Sequence, residues 1–117
     1  MDVAAVAAQL RVFAADRDWD QFHNPKNLAM ALAGEAGELL EVFQWLTPDQ
    51  AADLTPDQRT AAAEELADVL IYLIRLADKL DIDLATAVSR KIEANGRRYP
   101  APQVRGVASK PDSSRTV

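Results

Sequence analysis

The sequence contains no cysteine, a single histidine, and aromatic residues at only 6% of its positions. Without cysteine there is no disulfide, no thiolate metal site and no cysteine nucleophile. Basic excess is also lacking: the formal charge is −5 and the sequence pI about 4.7. A polyanionic backbone normally requires a clustered basic face, so duplex nucleic acid is an unsuitable partner. Long apolar runs are missing as well. The stretch richest in apolar residues, Leu66 to Ala77, is interrupted by Asp68 and Arg75 and is too short to span a bilayer, so no membrane partner is expected. The start, MDVAAVAAQL, has no basic segment of the kind that opens a secretory signal, and the expected location is the cytoplasm.

What remains is a chain of 117 residues, 49% of them hydrophobic, which suits one domain with a modest core. Its periodicity is helical throughout. Val3, Val6, Leu10 and Phe13 recur at spacings of three and four, giving a first helix that ends near Asp16. A short linker rich in polar and aromatic residues follows, and Asn24-Pro25 provides a cap with proline in the first helical position. The second helix then runs to Leu46, about 22 residues or roughly 33 Å, before Thr47-Pro48 stops it. Thr55 with Gln58 forms a capping-box pattern that starts a third helix at Pro56, running to about Leu80. Its middle, LADVLIYLIRLA, is apolar on nearly all sides, as expected of a helix central to a bundle or lying in a subunit interface. Asp83 caps a fourth helix to about Arg98, with Leu84, Val88 and Ile92 spaced at four. Residues 101 to 117 lack periodicity and read as a flexible C-terminal tail after a helical domain of residues 1 to 100. No internal repeat of sequence is read, but an acidic pair recurs once in each of the two long helices.

Those pairs, Glu35 with Glu38 and Glu65 with Asp68, carry the strongest functional signal. Leu28, Leu39, Val42 and Leu46 project within about 40° of Glu35, and Val69, Tyr72 and Leu76 within about 40° of Glu65, so both glutamates sit in the middle of an apolar stripe. Glu38 and Asp68 each flank their partner by about 60°, whereas Glu41 and Glu64 drift toward solvent, Glu64 together with Arg75. Burying charge is costly unless a counter-charge or metal meets it. If the two helices pack against each other across a short loop, four carboxylates converge, and hard oxygen ligands suit Mg²⁺, with Mn²⁺ as a substitute. Mg²⁺ commonly shares its coordination sphere with substrate phosphates, which points to phosphate chemistry. Gly34 and Gly37 lie beside the first pair. Glycine costs about 1 kcal/mol within a helix, so close approach of a backbone or a ligand is expected there.

The segments GEAGELLEVFQW and EELADVLIYL resemble the MazG-like all-α nucleoside triphosphate pyrophosphohydrolases, which carry an ExxE and then an ExxD. Here 26 residues separate Glu38 from Glu65. RDWDQFHNPKNL before the first pair and KIEANGRRYP after the second are similar to the dCTP pyrophosphatase branch of that family. The resemblance covers about residues 10 to 100. It implies a four-helix, oligomeric MazG-like bundle, a homodimer or homotetramer, with Mg²⁺ held by Glu35, Glu38, Glu65 and Asp68. The implied reaction converts a dNTP, dCTP or a modified dCTP, to dNMP and pyrophosphate, with water attacking the α-phosphorus and Glu38 orienting or deprotonating that water. Trp19, Phe22, His23, Trp45 and Tyr72 correspond to a nucleoside pocket. Lys91 and Asn95 match the family's KxxxN and, with Arg97 and Arg98, would reach the triphosphate. Where the best-matched animal members of that family carry a histidine on the first helix, this chain has Leu10, and its Thr47–Pro56 loop is shorter than theirs.

Other readings compete. A di-iron carboxylate bundle requires Glu-x-x-His on two helices, and the only histidine lies in a linker. The same hydrolysis could act on another nucleotide, such as dUTP or a damaged base. A non-enzymatic helical oligomerisation module would need cations against its buried acids, and Arg75 is the only basic residue within the core segment.

Overall fold

In the computed structural model residues 1–108 are described, and every regular element among them is helical. The all-α expectation is met. Helix α1 spans Val3–Asp16, and a single 3-10 turn, Asp20–Phe22, follows it. Then come α2, Pro25–Phe43; α3, Pro48–Ala52; α4, Pro56–Lys79; α5, Leu84–Arg98; and α6, Ala101–Val104.

The helix starts follow local chemistry. Asp2, Asn24, Thr47, Thr55 and Asp83 each accept a hydrogen bond from a backbone N–H of the turn they cap, satisfying donors that the helix leaves free. The tetrapeptide Thr-Pro-Asp-Gln occurs twice, at 47–50 and 55–58, and builds a complete capping box each time. Its first copy therefore does more than stop α2: it opens α3, which corrects the reading of that stretch as plain loop and of a sequence without repeats. Helix α2 ends at Phe43 rather than Leu46, and Gln44 to Leu46 form a turn. The stretch after Pro100, expected to lack regular structure, opens with α6. The remainder of the expected tail, residues 109–117, lies outside the described residues.

The chain divides into two compact units, Met1–Ile82 and the part from Asp83 onward. In the first, α2 and α4 form the principal pair, and α1 packs on α4. Leu28 of α2 and Ile74 of α4 are the largest fully buried side chains, joined by Ala7, Ala14, Ala62 and Ala77. Small residues at these positions let the helices approach closely. Arg75 is the exception to an apolar interior, at 4% exposure. The expected fourth helix, α5, belongs to the second unit, and its Val88 and Ile92 are more than half exposed.

Candidate functional site: an acid cluster beside an aromatic cleft

Helices α2 and α4 each deliver one acidic pair to their mutual surface. Glu35, Glu38 and Glu65 offer carboxylate oxygens that all lie within 4.8 Å of one another. Glu35 and Glu65 are half-buried, and one oxygen of each, Oε2, is enclosed without a hydrogen-bond partner. Glu38 is exposed at the rim. The electrostatics follow from the crowding. Glu35 is pushed up to about 7 by its hydrogen bond with Glu38, by burial, and by the charges of Glu38, Asp68 and Glu65. Glu65 is also raised, first by burial and then by Glu38. Asp68 acts on both through its charge but does not belong to the three-residue oxygen cluster.

No ion pair among the described residues involves these four acids. Converging carboxylates with enclosed, unpartnered oxygens form a donor set that fits a hard divalent cation, which would turn mutual repulsion into ligation. Glu41 and Glu64 are both exposed. The expected close approach at Gly34 and Gly37 is not made by protein: a Cβ at either would meet nothing within 4 Å. Each faces open space.

A cleft of about 430 Å³ lies further along α4. Tyr72 lies one turn beyond Asp68, roughly 6 Å along the helix axis, and lines the cleft with Ile71 and Arg75. Across from them stand Val6, Gln9, Leu10, Phe13 and Ala14 of α1, and Trp19 and His23 close the end. The stripe of α1 that reads from sequence as ordinary core is thus also a cleft wall. The Phe13 and Trp19 rings meet edge-on at 5.9 Å, and Trp19 lies 6.4 Å from the His23 ring. Asp18 reverses the chain in a left-handed conformation, φ 54°, and Gln21 donates to both its carbonyl and its carboxylate.

Of the five aromatic and imidazole residues expected in the pocket, the structure brings Trp19, His23 and Tyr72 to this cleft. Phe22 and Trp45 do not line it and are 58% and 86% exposed. Trp45 falls beyond the end of α2, where helical projection no longer applies. Phe22 turns outward on the 3-10 turn, its carbonyl accepting from Asn27 Nδ2. In the second unit Lys91 and Asn95 stand one turn apart on α5. Arg97 pairs with Glu93 at 3.3 Å, and the Arg98 guanidinium lies 5.4 Å from the Tyr99 ring centre.

Arg75 is the residue that sequence projection misplaces. Expected on the polar side with Glu64, it is buried because the α1–α2 linker folds over it. Its Nη2 donates to Asp20 Oδ1 at 2.6 Å, its Nε to His23 Nδ1 at 3.3 Å, and its Nη1 lies 3.6 Å from Asp78. Lys79 also donates to Asp20, at 2.6 Å, and Arg11 to Asp78, at 2.6 Å. Hydrogen bonding and charge from Lys79 and Arg75 hold Asp20 below the usual carboxylate range. Burial and the Arg75 charge hold the His23 imidazole below its ordinary value, against the opposing pull of Asp20.

The protein is thus all-α, with an acid cluster on the α2–α4 pair and a cleft lined by Phe13, Trp19, His23 and Tyr72 further along α4. The sequence model of the MazG-like family matches residues 31–112, and the chain belongs to that family. Human dCTP pyrophosphatase 1 is 51% identical over 100 residues, 84% of this chain and 59% of the human protein; the mouse protein is 50% identical over the same share. The chain thus spans 59% of the length of these relatives. Gene 37 protein of Mycobacterium phage L5 is 29% identical over 93 residues, 79% of this chain and 82% of that one. Among solved structures, a pyrophosphatase from Archaeoglobus fulgidus superposes with a TM-score of 0.80 at 40% identity, covering 86% of this chain and 94% of that chain.

Proposed function

We propose that the chain is a nucleotide pyrophosphohydrolase that converts a deoxynucleoside triphosphate, dCTP or a modified dCTP, to the monophosphate and pyrophosphate. The observation that carries this reading is the pair of enclosed, unpartnered carboxylate oxygens on Glu35 and Glu65, with Tyr72 of a cleft also walled by Trp19 and His23 lying about two helical turns beyond Glu65 on α4. The 51% identity to human dCTP pyrophosphatase 1, over 59% of its length, supports the choice of base.

Glu35, Glu38, Glu65 and Asp68 would hold Mg²⁺, which when bound supplies charge neutralisation to the phosphate oxygens. Glu38, exposed at the rim of the cluster, would orient a water and take its proton as that water attacks the α-phosphorus and pyrophosphate leaves. Trp19 and Tyr72 would offer aromatic faces to the base, and the apolar wall of α1 would exclude water from it. From the resemblance we carry Lys91 and Asn95, with Arg97 and Arg98, as contacts to the triphosphate. Incubation with a panel of (d)NTPs and Mg²⁺, with products resolved by chromatography, tests the reading. Pyrophosphate and dNMP are expected, with dCTP or a modified dCTP preferred over dUTP. Orthophosphate with dNDP, or no turnover at all, would overturn it.

A homo-oligomer belongs to the same proposal. Leu40, Leu66 and Ile92 are 60%, 56% and 66% exposed, while Leu28 and Ile74 are the largest fully enclosed side chains among the described residues. So much exposed apolar surface over so small a core favours burial against further copies. Light scattering after size exclusion should give a dimer or tetramer; a monomer at micromolar concentration would sink this part.

A further inference from the structure

Each nitrogen of the Arg75 guanidinium faces a partner. Arginine has only donors, and its three nitrogens point to Asp20, to His23 Nδ1 and to Asp78. An acceptor at Nδ1 fixes the tautomer of a neutral imidazole: the ring nitrogen that receives the Arg75 Nε–H carries the lone pair, and the proton resides on Nε2. Nε2 is on the ring edge away from Arg75, and His23 lines the cleft. The other neutral polar side chain on the wall opposite, Gln9, has an amide that can present either donor or acceptor by turning over, and so selects nothing alone.

We propose that Arg75 is a positioning residue that locks His23 as an Nε2–H donor facing the cleft, and that this fixed donor selects a base with a ring-nitrogen acceptor. The proposal rests on the nucleotide reading above. Cytosine presents N3 as an acceptor and is matched. Uracil and thymine carry N–H at that position, so donor would meet donor, and a buried, mismatched polar pair is rejected more strongly than a missing contact. The motif holding the donor is spread over the linker and the far end of α4, away from the acid cluster, so base choice and metal binding reside on separate parts of the molecule.

His23 is the sole histidine, so ring-¹⁵N-labelled protein gives one imidazole signal pair and reads the tautomer without any nucleotide. The neutral ring of the wild-type protein should be in the Nε2–H form. An Nδ1–H form, or exchange between both, would overturn the lock. Arg75→Leu should release the ring into tautomer exchange and lower the ratio of kcat/KM for dCTP over dUTP by about tenfold. Asp20→Asn separates positioning from a merely structural role, because it loosens the clamp but leaves the Arg75–His23 bond; it should keep both tautomer and ratio. Equal loss of discrimination in Asp20→Asn, or an unchanged ratio in a folded Arg75→Leu protein, would remove the specificity role. Failure of the wild-type protein to turn over any nucleotide would overturn the functional reading and base selection with it. Turnover with an Nδ1–H ring would overturn the lock alone.

Discussion

Glu35 and Glu65 approach across the α2–α4 pair so that their carboxylates fall within 4.8 Å, and each encloses an Oε2 that no hydrogen bond reaches. Two like charges in that position weaken the metal-free fold at neutral pH.

The sign of the resulting pH dependence is fixed by the direction of the shift. Glu35 rises from 4.5 to about 7 on folding, so the native state binds its proton more tightly than the unfolded chain. Stability from this group is fully present below pH 4.5 and is lost as pH rises toward about 7. Thermal unfolding in chelator should show a falling Tm across that window. Glu35→Gln should flatten the fall, and Mg²⁺ or Mn²⁺ should raise the Tm at neutral pH by binding the native state. A Tm indifferent to both pH and divalent cation would remove the cluster as a metal site.

Glu38→Gln and Asp68→Asn keep size and polarity while changing charge. Circular dichroism should report unchanged helix content for both, and pyrophosphate release should drop by at least about 100-fold. Wild-type turnover in either variant would take that residue out of the site.

The cleft boundary makes Trp19 and Trp45 behave differently. Trp19 lines the cavity, and Trp45 is 86% exposed beyond the end of α2. Trp19→Ala should raise KM about tenfold or more through loss of a stacking face, and Trp45→Ala should leave KM within about twofold. Steady-state kinetics on dCTP decide it; the reverse order would mean that the base binds elsewhere.

Leu28 and Ile74 hold the first unit together. Either residue changed to alanine should cost about 2–5 kcal/mol in chemical denaturation, through lost burial and the cavity left behind. Destabilisation below about 1 kcal/mol would show that the α2–α4 contact relaxes around the gap.

The helices were legible because their signals are local. Caps at Asn24, Thr55 and Asp83, prolines at the first helical position and apolar spacings of three and four act within a few residues of the chain. The same periodicity set Glu35 and Glu65 mid-stripe and Glu41 and Glu64 outward. Where the helix stops, projection fails: Leu46 is aligned with Glu35 on a turn that α2 does not make. The first Thr-Pro-Asp-Gln is equally legible as a helix start, but the helix it opens is only five residues long.

The amino-acid order by itself determined the helices, their caps and the placement of two acidic pairs on the faces that α2 and α4 share. Tertiary structure alone decided that Arg75 is interior, that His23 meets it, and that the stripe of α1 walls a cleft as well as a core. The reason is range. A helical face follows from rotation per residue, but which face is covered depends on segments 52 and 55 residues away, His23 and Asp20, folding back onto α4.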